Sequence, residues 1–393
     1  VPVDVPTLLI LGTRGIPAAH GGFETFAERL ALYLAGRGWR VGVYCQAEVD
    51  RVRERIATRT WNGIELITVE VALRGPAATL AFDAVCVKDA ATRGGVCLVL
   101  GYNGAAFLPY LRARGGRILT NMDGIEWRRP KWSLPVRTFF YLSEWIAAWS
   151  SQRLVADHPA IADHLARRRP RRAIATIPYG GDPPPADLGP PPLGLTAGRY
   201  LVSIARIEPD NNILTLVEAF SRKPRGMRLV VLGTLKVCNA YHRAVEDAAG
   251  LEVLMPGAIY EPELVQSLRV HARAYLHGHT VGGTNPSLVE ALWAGNAVIA
   301  HDNPFNRHTA GDGQFYFTDG NSCAAAIERV IADDDAVAAA GAAARARAES
   351  FRWDDVLAAY EGELRRVGGY PALAASPIRT HASPARVTAG TDM

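Results

Sequence analysis

Thr7-Leu8-Leu9-Ile10-Leu11-Gly12 is followed by Thr13-Arg14-Gly15-Ile16-Pro17-Ala18-Ala19-His20-Gly21-Gly22-Phe23-Glu24, after which Phe26, Leu30, Tyr33 and Leu34 recur at helical spacing. A short apolar run closed by glycine predicts a buried strand, and the apolar period of about 3.6 predicts a helix. The loop between them is not a G-x-G-x-x-G dinucleotide fingerprint and is too long for one. Gly21-Gly22 before the helix allows close approach of backbone to a ligand and aims free amides at an anion. A flexible turn closing a strand–helix unit is the plainer alternative.

The same alternation runs outward from this unit. Val41 to Gln46, Val96 to Gly101, Ile118 to Met122 and Leu154 to Ala156 read as strands, with helices at Ala105 to Arg114, Pro135 to Ser151 and Pro159 to Arg168. From Gly180 to Gly198 there are six prolines and little periodicity, the signature of a stiff linker. The pattern then restarts. Strands are expected at Tyr200 to Ala205, Leu229 to Gly233, Val253 to Pro256, Ala274 to His277 and Ala297 to His301. Helices are expected at Ile213 to Phe220, Tyr241 to Ala249, Pro262 to His271, Ser287 to Ala294 and Cys323 to Ile331. Such alternation implies right-handed crossovers and parallel sheets covered on both faces. The fold class is therefore α/β, with two Rossmann-like parallel-sheet domains facing a central cleft, since ligands of open α/β sheets bind beyond the strands' carboxyl ends.

The 393 residues favour two domains. With 49% hydrophobic and 21% charged residues the chain is not disordered as a whole, and a net charge of +4 is too small for a nucleic-acid signature. No apolar run approaches the ~20 residues that span a bilayer, and the N-terminal residues show no secretory signal. Five scattered cysteines without a C-x-x-C pair suit free thiols in a reducing compartment. A cytoplasmic protein is expected.

Four segments carry candidate chemistry. Besides the first loop, Arg206 in Ala205-Arg206-Ile207-Glu208-Pro209-Asp210-Asn211 leaves a strand where a guanidinium can grip a diphosphate, or simply pair with Glu208 or Asp210. In His277-Gly278-His279-Thr280-Val281-Gly282-Gly283-Thr284-Asn285-Pro286-Ser287-Leu288-Val289-Glu290-Ala291 a strand ends and a helix begins. Either Asn285 caps that helix with Pro286 at its first position, leaving Glu290 free for a ligand, or Ser287 and Glu290 form a capping box. Both readings offer a phosphate the positive end of a helix. His277 and His279 lack a third ligand, no D-x-D motif is present, and Asp333-Asp334-Asp335 reads as a helix end, so no metal is expected. In Asn121-Met122-Asp123-Gly124-Ile125-Glu126-Trp127, Asp123 would orient a hydroxyl or accept its proton, with an Asx-turn as the alternative.

These segments together resemble the retaining GT-B glycosyltransferases of the glycogen-synthase-like family, and more narrowly its bacterial rhamnosyltransferase-like members. The resemblance runs from Leu8 to about Tyr360. It implies an acceptor domain over residues 1–180, a nucleotide-sugar donor domain over 199–352 and a helix over 353–370 crossing back to the first domain; composition places the proline-rich linker over 181–198 and a disordered Pro/Ser/Thr/Ala-rich tail over 371–393. It implies catalytic roles for Asp123, Arg206 and Glu290. Donor contacts would come from Gly21, Gly22, Arg206, Asn211, His279, Thr284, Asn285, Ser287, Leu288 and Glu290, with Ser287 and Leu288 supplying amides. Arg14, Glu24, Glu126 and Trp127 would lie on the acceptor side. Two positions depart from the family pattern: Gly282 replaces the first glutamate of its E-x7-E motif, and Asn211 replaces a phosphate-binding lysine.

The resemblance implies metal-independent transfer of a sugar, rhamnose from dTDP-rhamnose or the sugar of a UDP-sugar, onto a lipid-linked saccharide for bacterial surface polysaccharide. No other cofactor is implied. The acceptor would be reached at the inner face of the cell membrane, where the aromatic stretch Lys131 to Trp149 and the basic run Arg167 to Arg172 would meet anionic lipid; a core helix with its aromatic side against the sheet and a solvated helix end are the plainer alternatives. A sugar-nucleotide epimerase of the same architecture and a non-catalytic sugar-nucleotide-binding protein remain the alternatives.

Overall fold

The computed structural model describes residues 5–18, 21–52, 55–129, 131–236 and 238–372. The tail expected to be disordered lies outside these residues from 373 onward. The first sheet holds β1 (Thr7–Leu11), β2 (Arg40–Glu48), β3 (Ile56–Trp61), β4 (Ile64–Val71), β5 (Val96–Leu100), β6 (Arg117–Asn121), β7 (Arg153–Ala156) and β8 (Ile174–Thr176). Its spatial order is β3-β4-β2-β1-β5-β6-β7-β8, and every pair except β3–β4 is parallel. The exception is a hairpin turned by Asn62-Gly63, both at positive φ, the chemistry a two-residue turn demands. The second sheet contains β9 (Tyr200–Ile204), β10 (Arg228–Leu232), β11 (Val253–Gly257), β12 (Ala274–His277), β13 (Ala297–His301) and β14 (Phe315–Phe317), ordered β11-β10-β9-β12-β13-β14 and wholly parallel.

Around the first sheet pack α1 (Gly22–Ala35), α2 (Pro76–Arg93), α3 (Leu108–Ala113), α4 (Leu134–Ser150) and α5 (Pro159–Leu165). The second carries α6 (Ile213–Ser221), α7 (Ala240–Asp247), α8 (Pro262–Val270), α9 (Pro286–Trp293), α10 (Pro304–Ala310), α11 (Gly320–Ala332) and α12 (Asp334–Ala348). Asp333 caps α12 by accepting from the Ala336 amide at 2.8 Å, so the acidic triplet does mark a helix end. This GT-B arrangement of two Rossmann-like sheets matches the expected fold class.

The final helix α13 (Trp353–Gly368) leaves the second sheet and packs on the first, where Trp353, Val356, Tyr360 and Leu364 join the core with Phe26, Leu30 and Leu98. Its buried Glu361 accepts from Trp39 Nε1 at 3.2 Å and pairs with Arg37 at 2.8 Å, anchoring the helix by charge as well as by apolar contact. The proline-rich stretch is less a free linker than a strap. Ser267 Oγ of α8 donates to the carbonyls of Gly189 and Pro190 at 3.1 and 3.2 Å.

A second buried carboxylate fixes the aromatic segment. Glu144 of α4 is 1% exposed and is held by His164 Nε2 at 2.9 Å, Arg168 Nε at 2.8 Å and Trp127 Nε1 at 3.0 Å. Burial alone would raise its pKa, but these donors outweigh burial and hold it below the usual glutamate range. Arg168 also lies over the rings of Tyr141 and Trp145 at 5.1 and 4.5 Å, so it is not the free membrane-facing charge its place in a basic run suggests. Because the native pKa is depressed, this stabilisation is full above the unfolded value of about 4.3 and is lost as pH falls through the native one. Glu144→Gln should cost about 3 kcal/mol by leaving Arg168 without its counter-charge, and should flatten the acid limb of a stability-versus-pH curve. Denaturant titrations of both proteins between pH 3 and 7 check this, and parallel curves would refute it.

Candidate active site

In each sheet the strand order reverses direction once, between β1 and β5 and between β9 and β12. The loops beyond those strands diverge there and open a crevice. The two sets of loops face one another, and the expected site residues sit mostly on them.

Arg206 follows β9, and its side chain is 70% exposed with one loose contact to Glu208 at 3.4 Å. Glu208 is also reached from the first domain by Lys131 Nζ at 3.1 Å. Burial pushes the Glu208 carboxyl up, yet Arg206 and Lys131 together keep it below its usual range. A cavity of ≈ 260 Å³ lies against Arg206, walled by Asp123, Arg129, Asp157, Tyr179 and Tyr360, with Gly22 and Pro286 on opposite sides of the cleft. The loops meet here: a Cβ on Gly22 would lie 3.2 Å from Pro286. On the other side of Arg206 a larger cavity of ≈ 550 Å³ runs along the ends of β9, β10 and β11 and is bordered by Gly233, Lys236 and Tyr260.

Asp123 stands in the left-handed region with φ 49°. The local turn belongs to Asn121, whose Oδ1 accepts from the Asp123 amide at 2.9 Å, and this leaves the Asp123 carboxyl to the cavity. Burial, reinforced by Glu126, raises the Asp123 pKa against the opposing pull of Arg129 and Arg206. Asp157 beyond β7, which sequence reasoning missed, lines the same cavity. Burial first, then the Asp123 charge, pushes it well above the carboxylate range. Its Oδ2 accepts from the Thr284 amide at 3.0 Å, and its carbonyl accepts from Thr284 Oγ1 at 2.5 Å, a direct bond between the two domains. Arg129 adds a longer contact to Asp210 at 3.7 Å. The signal for Asp157 was the one that singled out Asp123, a carboxylate at the carboxyl end of a parallel strand.

The helix start resolves the capping question. Asn285 caps α9, its side chain accepting from the Ser287 amide at 3.0 Å, and Pro286 is the first helical residue. Two expectations change as a result. The Ser287 amide is taken by the cap and the Leu288 amide by the Asn285 carbonyl at 3.1 Å, so neither is free for a phosphate in this conformation. Glu290 is not free either: it pairs with the buried Arg269 at 2.5 Å, and Arg269 also donates to Ser287 Oγ at 3.1 Å. Arg269 had no sequence signature, because it sits on α8, remote in sequence from the loop it braces.

Two further residues expected at the donor, Asn211 and His279, make contacts within the second domain. Asn211 is 4% exposed and donates Nδ2 to the Arg206 carbonyl at 2.8 Å, bracing the arginine from behind rather than reaching the cleft. His279 stacks on His277 with centroids 4.2 Å apart and planes 9° from parallel, a geometry that does not converge on a metal. Burial, with Arg129 and Arg206 nearby, brings the His279 pKa down to about 3, so the ring is neutral. Among the described residues no group of three or more His, Cys, Asp or Glu is placed to hold a metal ion. Gly282 has φ 138° and open space about it, so a side chain there would have room but a strained backbone.

The expected acceptor-side residues divide into two groups. Glu24 accepts from Thr13 Oγ1 and the Arg14 amide at 3.3 and 3.2 Å, and Arg14 and Glu24 border a separate cavity behind Gly21 and the first turn of α1. Glu126 pairs instead with Arg129 at 2.6 Å, and Trp127 turns to Glu144, so both shape the Asp123 loop without entering that cavity.

Residues 193–347 match the family described as Glycosyl transferases group 1. That match spans the second domain, from the end of the proline-rich stretch into α12. Residues 5–182 match a domain of unknown function, DUF1972. The chain is also similar in structure to a sucrose-phosphate synthase from Thermosynechococcus elongatus, at 19% identity and TM-score 0.75, covering 92% of this chain and 98% of that one. An alpha,alpha-trehalose-phosphate synthase (UDP-forming) from Burkholderia vietnamiensis aligns at 14% identity and TM-score 0.74, covering 92% and 97%. An Escherichia coli trehalose-6-phosphate structure bound with UDP-2-fluoro glucose aligns at 12% identity and TM-score 0.72, covering 92% and 99%. No curated protein matches by sequence.

The interdomain bond makes a specific demand on Gly283, where any Cβ would overlap the Asp157 carboxylate. Gly283→Ala should therefore break the Asp157–Thr284 link and open the cleft while both domains stay folded. Small-angle scattering should show a larger radius of gyration with an unchanged circular dichroism spectrum. An unchanged radius would show that the link does not hold the domains.

Proposed function

We propose that the protein is a retaining, metal-independent glycosyltransferase that moves rhamnose from dTDP-rhamnose onto a lipid-linked saccharide in bacterial surface polysaccharide synthesis. The observation that carries the reading is Arg206, an exposed guanidinium at the carboxyl end of β9 between two cavities of different character. The larger cavity takes the nucleoside, Arg206 takes the diphosphate, and the smaller takes the transferred sugar beside Asp123. The group 1 domain supports sugar transfer, and the neighbour bound with UDP-2-fluoro glucose supports a nucleoside diphosphate sugar as donor.

In this mechanism the bond from the anomeric carbon to the diphosphate breaks ahead of bond formation, and the acceptor oxygen bonds to the same carbon on the face the diphosphate leaves, which retains its configuration. Arg206 and the dipole of α9 stabilise the charge gathering on the departing diphosphate. Asp123, its pKa raised by burial, takes the acceptor hydroxyl proton, since a carboxylate made more basic is the better proton acceptor. Asp157 holds the cleft closed through Thr284 and keeps water out. The Asn285 cap would yield its amide bonds to the diphosphate on donor binding.

The acceptor's lipid would be met by α4, whose Leu134, Leu142 and Trp149 are 75%, 53% and 60% exposed. Arg169 lies over Trp149 at 5.2 Å, and Arg167 and Arg172 are exposed nearby, a pairing suited to anionic headgroups at the inner face of the cell membrane. No helix among the described residues is long and apolar enough to cross a membrane.

One observation favours a second reading, an epimerase. Asp123 and Asp157 are two protonatable carboxyls in one cavity, the equipment for moving a proton on and off a sugar carbon. Incubation with dTDP-rhamnose or UDP-sugars, with and without lipid-linked saccharides and with EDTA throughout, separates the two. Transfer predicts nucleoside diphosphate release that needs acceptor and survives EDTA. Epimerised donor without acceptor would establish the second reading, and activity lost to EDTA would refute metal independence. Arg206→Ala should weaken nucleoside diphosphate binding by about 2 kcal/mol, roughly thirtyfold, with the fold intact. Unchanged affinity by calorimetry would remove Arg206 from the donor site.

A further inference from the structure

The reversal of strand order between β1 and β5 has its own cavity, of ≈ 190 Å³, separate from the one beside Arg206. The first turn of α1 divides them: Phe23 lines the cavity beside Arg206, and its neighbour Glu24 lines this one. The floor is apolar, with Phe82, Leu100 and Leu108, and the rim carries Thr13, Arg14, Glu24, Gln46, Asp83 and Asn103. A cavity with an apolar floor and a rim of convergent polar groups, set at a switch point, has the makings of a small-molecule site.

Asp83 is the group that the rest of the structure leaves unexplained. It projects from the middle of α2, it is 8% exposed, and among the described residues it makes no hydrogen bond or ion pair. Burial alone pushes its carboxyl up to about 7. A carboxyl so largely buried and without a partner costs stability. The backbone opposite is kept clear for it, since a Cβ on Gly104 would come within 2.5 Å of Asp83 Oδ2. Sequence reading assigns no element to the stretch that forms α2 and singles out no residue in it.

We propose that this cavity is a saccharide-binding subsite in which Asp83 accepts hydrogen bonds from a pair of sugar hydroxyls. The chemistry of the rim selects this class of ligand. A hydroxyl both donates and accepts, and the rim mixes acceptors (Asp83, Glu24) with amides (Gln46, Asn103), a hydroxyl (Thr13) and a guanidinium (Arg14). A bound cation would want acceptors only and would be repelled by Arg14. A phosphate would be repelled by Asp83 and Glu24. The assignment rests on the sugar-transfer reading for its purpose: a saccharide bound here, one helix turn from the cleft, would be a unit of the acceptor chain next to the one that receives the new sugar.

The test is saturation-transfer NMR on the full chain with methyl glycosides of rhamnose, glucose, galactose, mannose and N-acetylglucosamine. UDP and dTDP binding are measured in the same samples. At least one glycoside should bind the wild type. Asp83→Asn, nearly isosteric, should weaken that binding at least tenfold while the melting temperature is unchanged or higher. Asn103→Ala, at an exposed rim position, should weaken it severalfold and guards against misfolding of the first variant. Arg206→Ala should leave glycoside binding as it was. The subsite is refuted if no glycoside binds, if binding survives both pocket variants, or if spermidine or inorganic phosphate binds there in place of the glycosides. If nucleoside diphosphates fail to bind while a glycoside binds through Asp83, the transfer reading falls and the subsite stands.

Discussion

Thr284 donates twice to Asp157, once from its amide and once from its hydroxyl, and this pair of bonds ties the ends of two parallel sheets together. Much of the cleft's geometry depends on it. It brings Pro286, at the start of α9, against Gly22, at the start of α1, and it sets Arg206 across the cavity from Asp123. It also explains the glycine before Thr284, since the Asp157 carboxylate occupies the space a side chain would need. The link is a buried carboxylate bonded to one neutral partner, and so it is neither strong nor free of cost.

The remaining polar architecture braces the elements that carry the site. Asn211 holds the Arg206 carbonyl, Arg269 holds Glu290 and Ser287, and Glu144 holds the Trp127 segment beside Asp123. In each case a buried charge or amide fixes a neighbouring loop or helix start, so the groups facing the cleft keep their orientation without ligand. Arg206 differs in being largely unpaired, as a group reserved for a ligand would be.

The fold was legible in the sequence because strands and helices alternate with few interruptions, and strand ends carry glycine. What escaped is instructive. The β3–β4 hairpin lay in a stretch with no assigned elements, although Asn62-Gly63 between two β-rich runs is a strong turn signal. β8 and β14 are three residues each, too short for periodicity to show. Candidate site residues picked for standing at strand ends, Asp123 and Arg206, do reach the cleft. Those carried over from motif position alone, Asn211 and Glu290, are engaged by neighbours that only the folded chain supplies. Arg269 and Asp83 belong to helices, where nothing local distinguishes a functional charge from a solvated one.

The proposed role of Arg206 and α9 depends on where a nucleoside diphosphate binds. A crystal structure of the full chain with dTDP or UDP would test it most directly. The diphosphate should lie on Arg206 at the start of α9, with the Asn285 cap displaced from the Ser287 amide and the nucleoside along the ends of β9, β10 and β11. A diphosphate bound in the first domain, or held without Arg206 and α9, would contradict it.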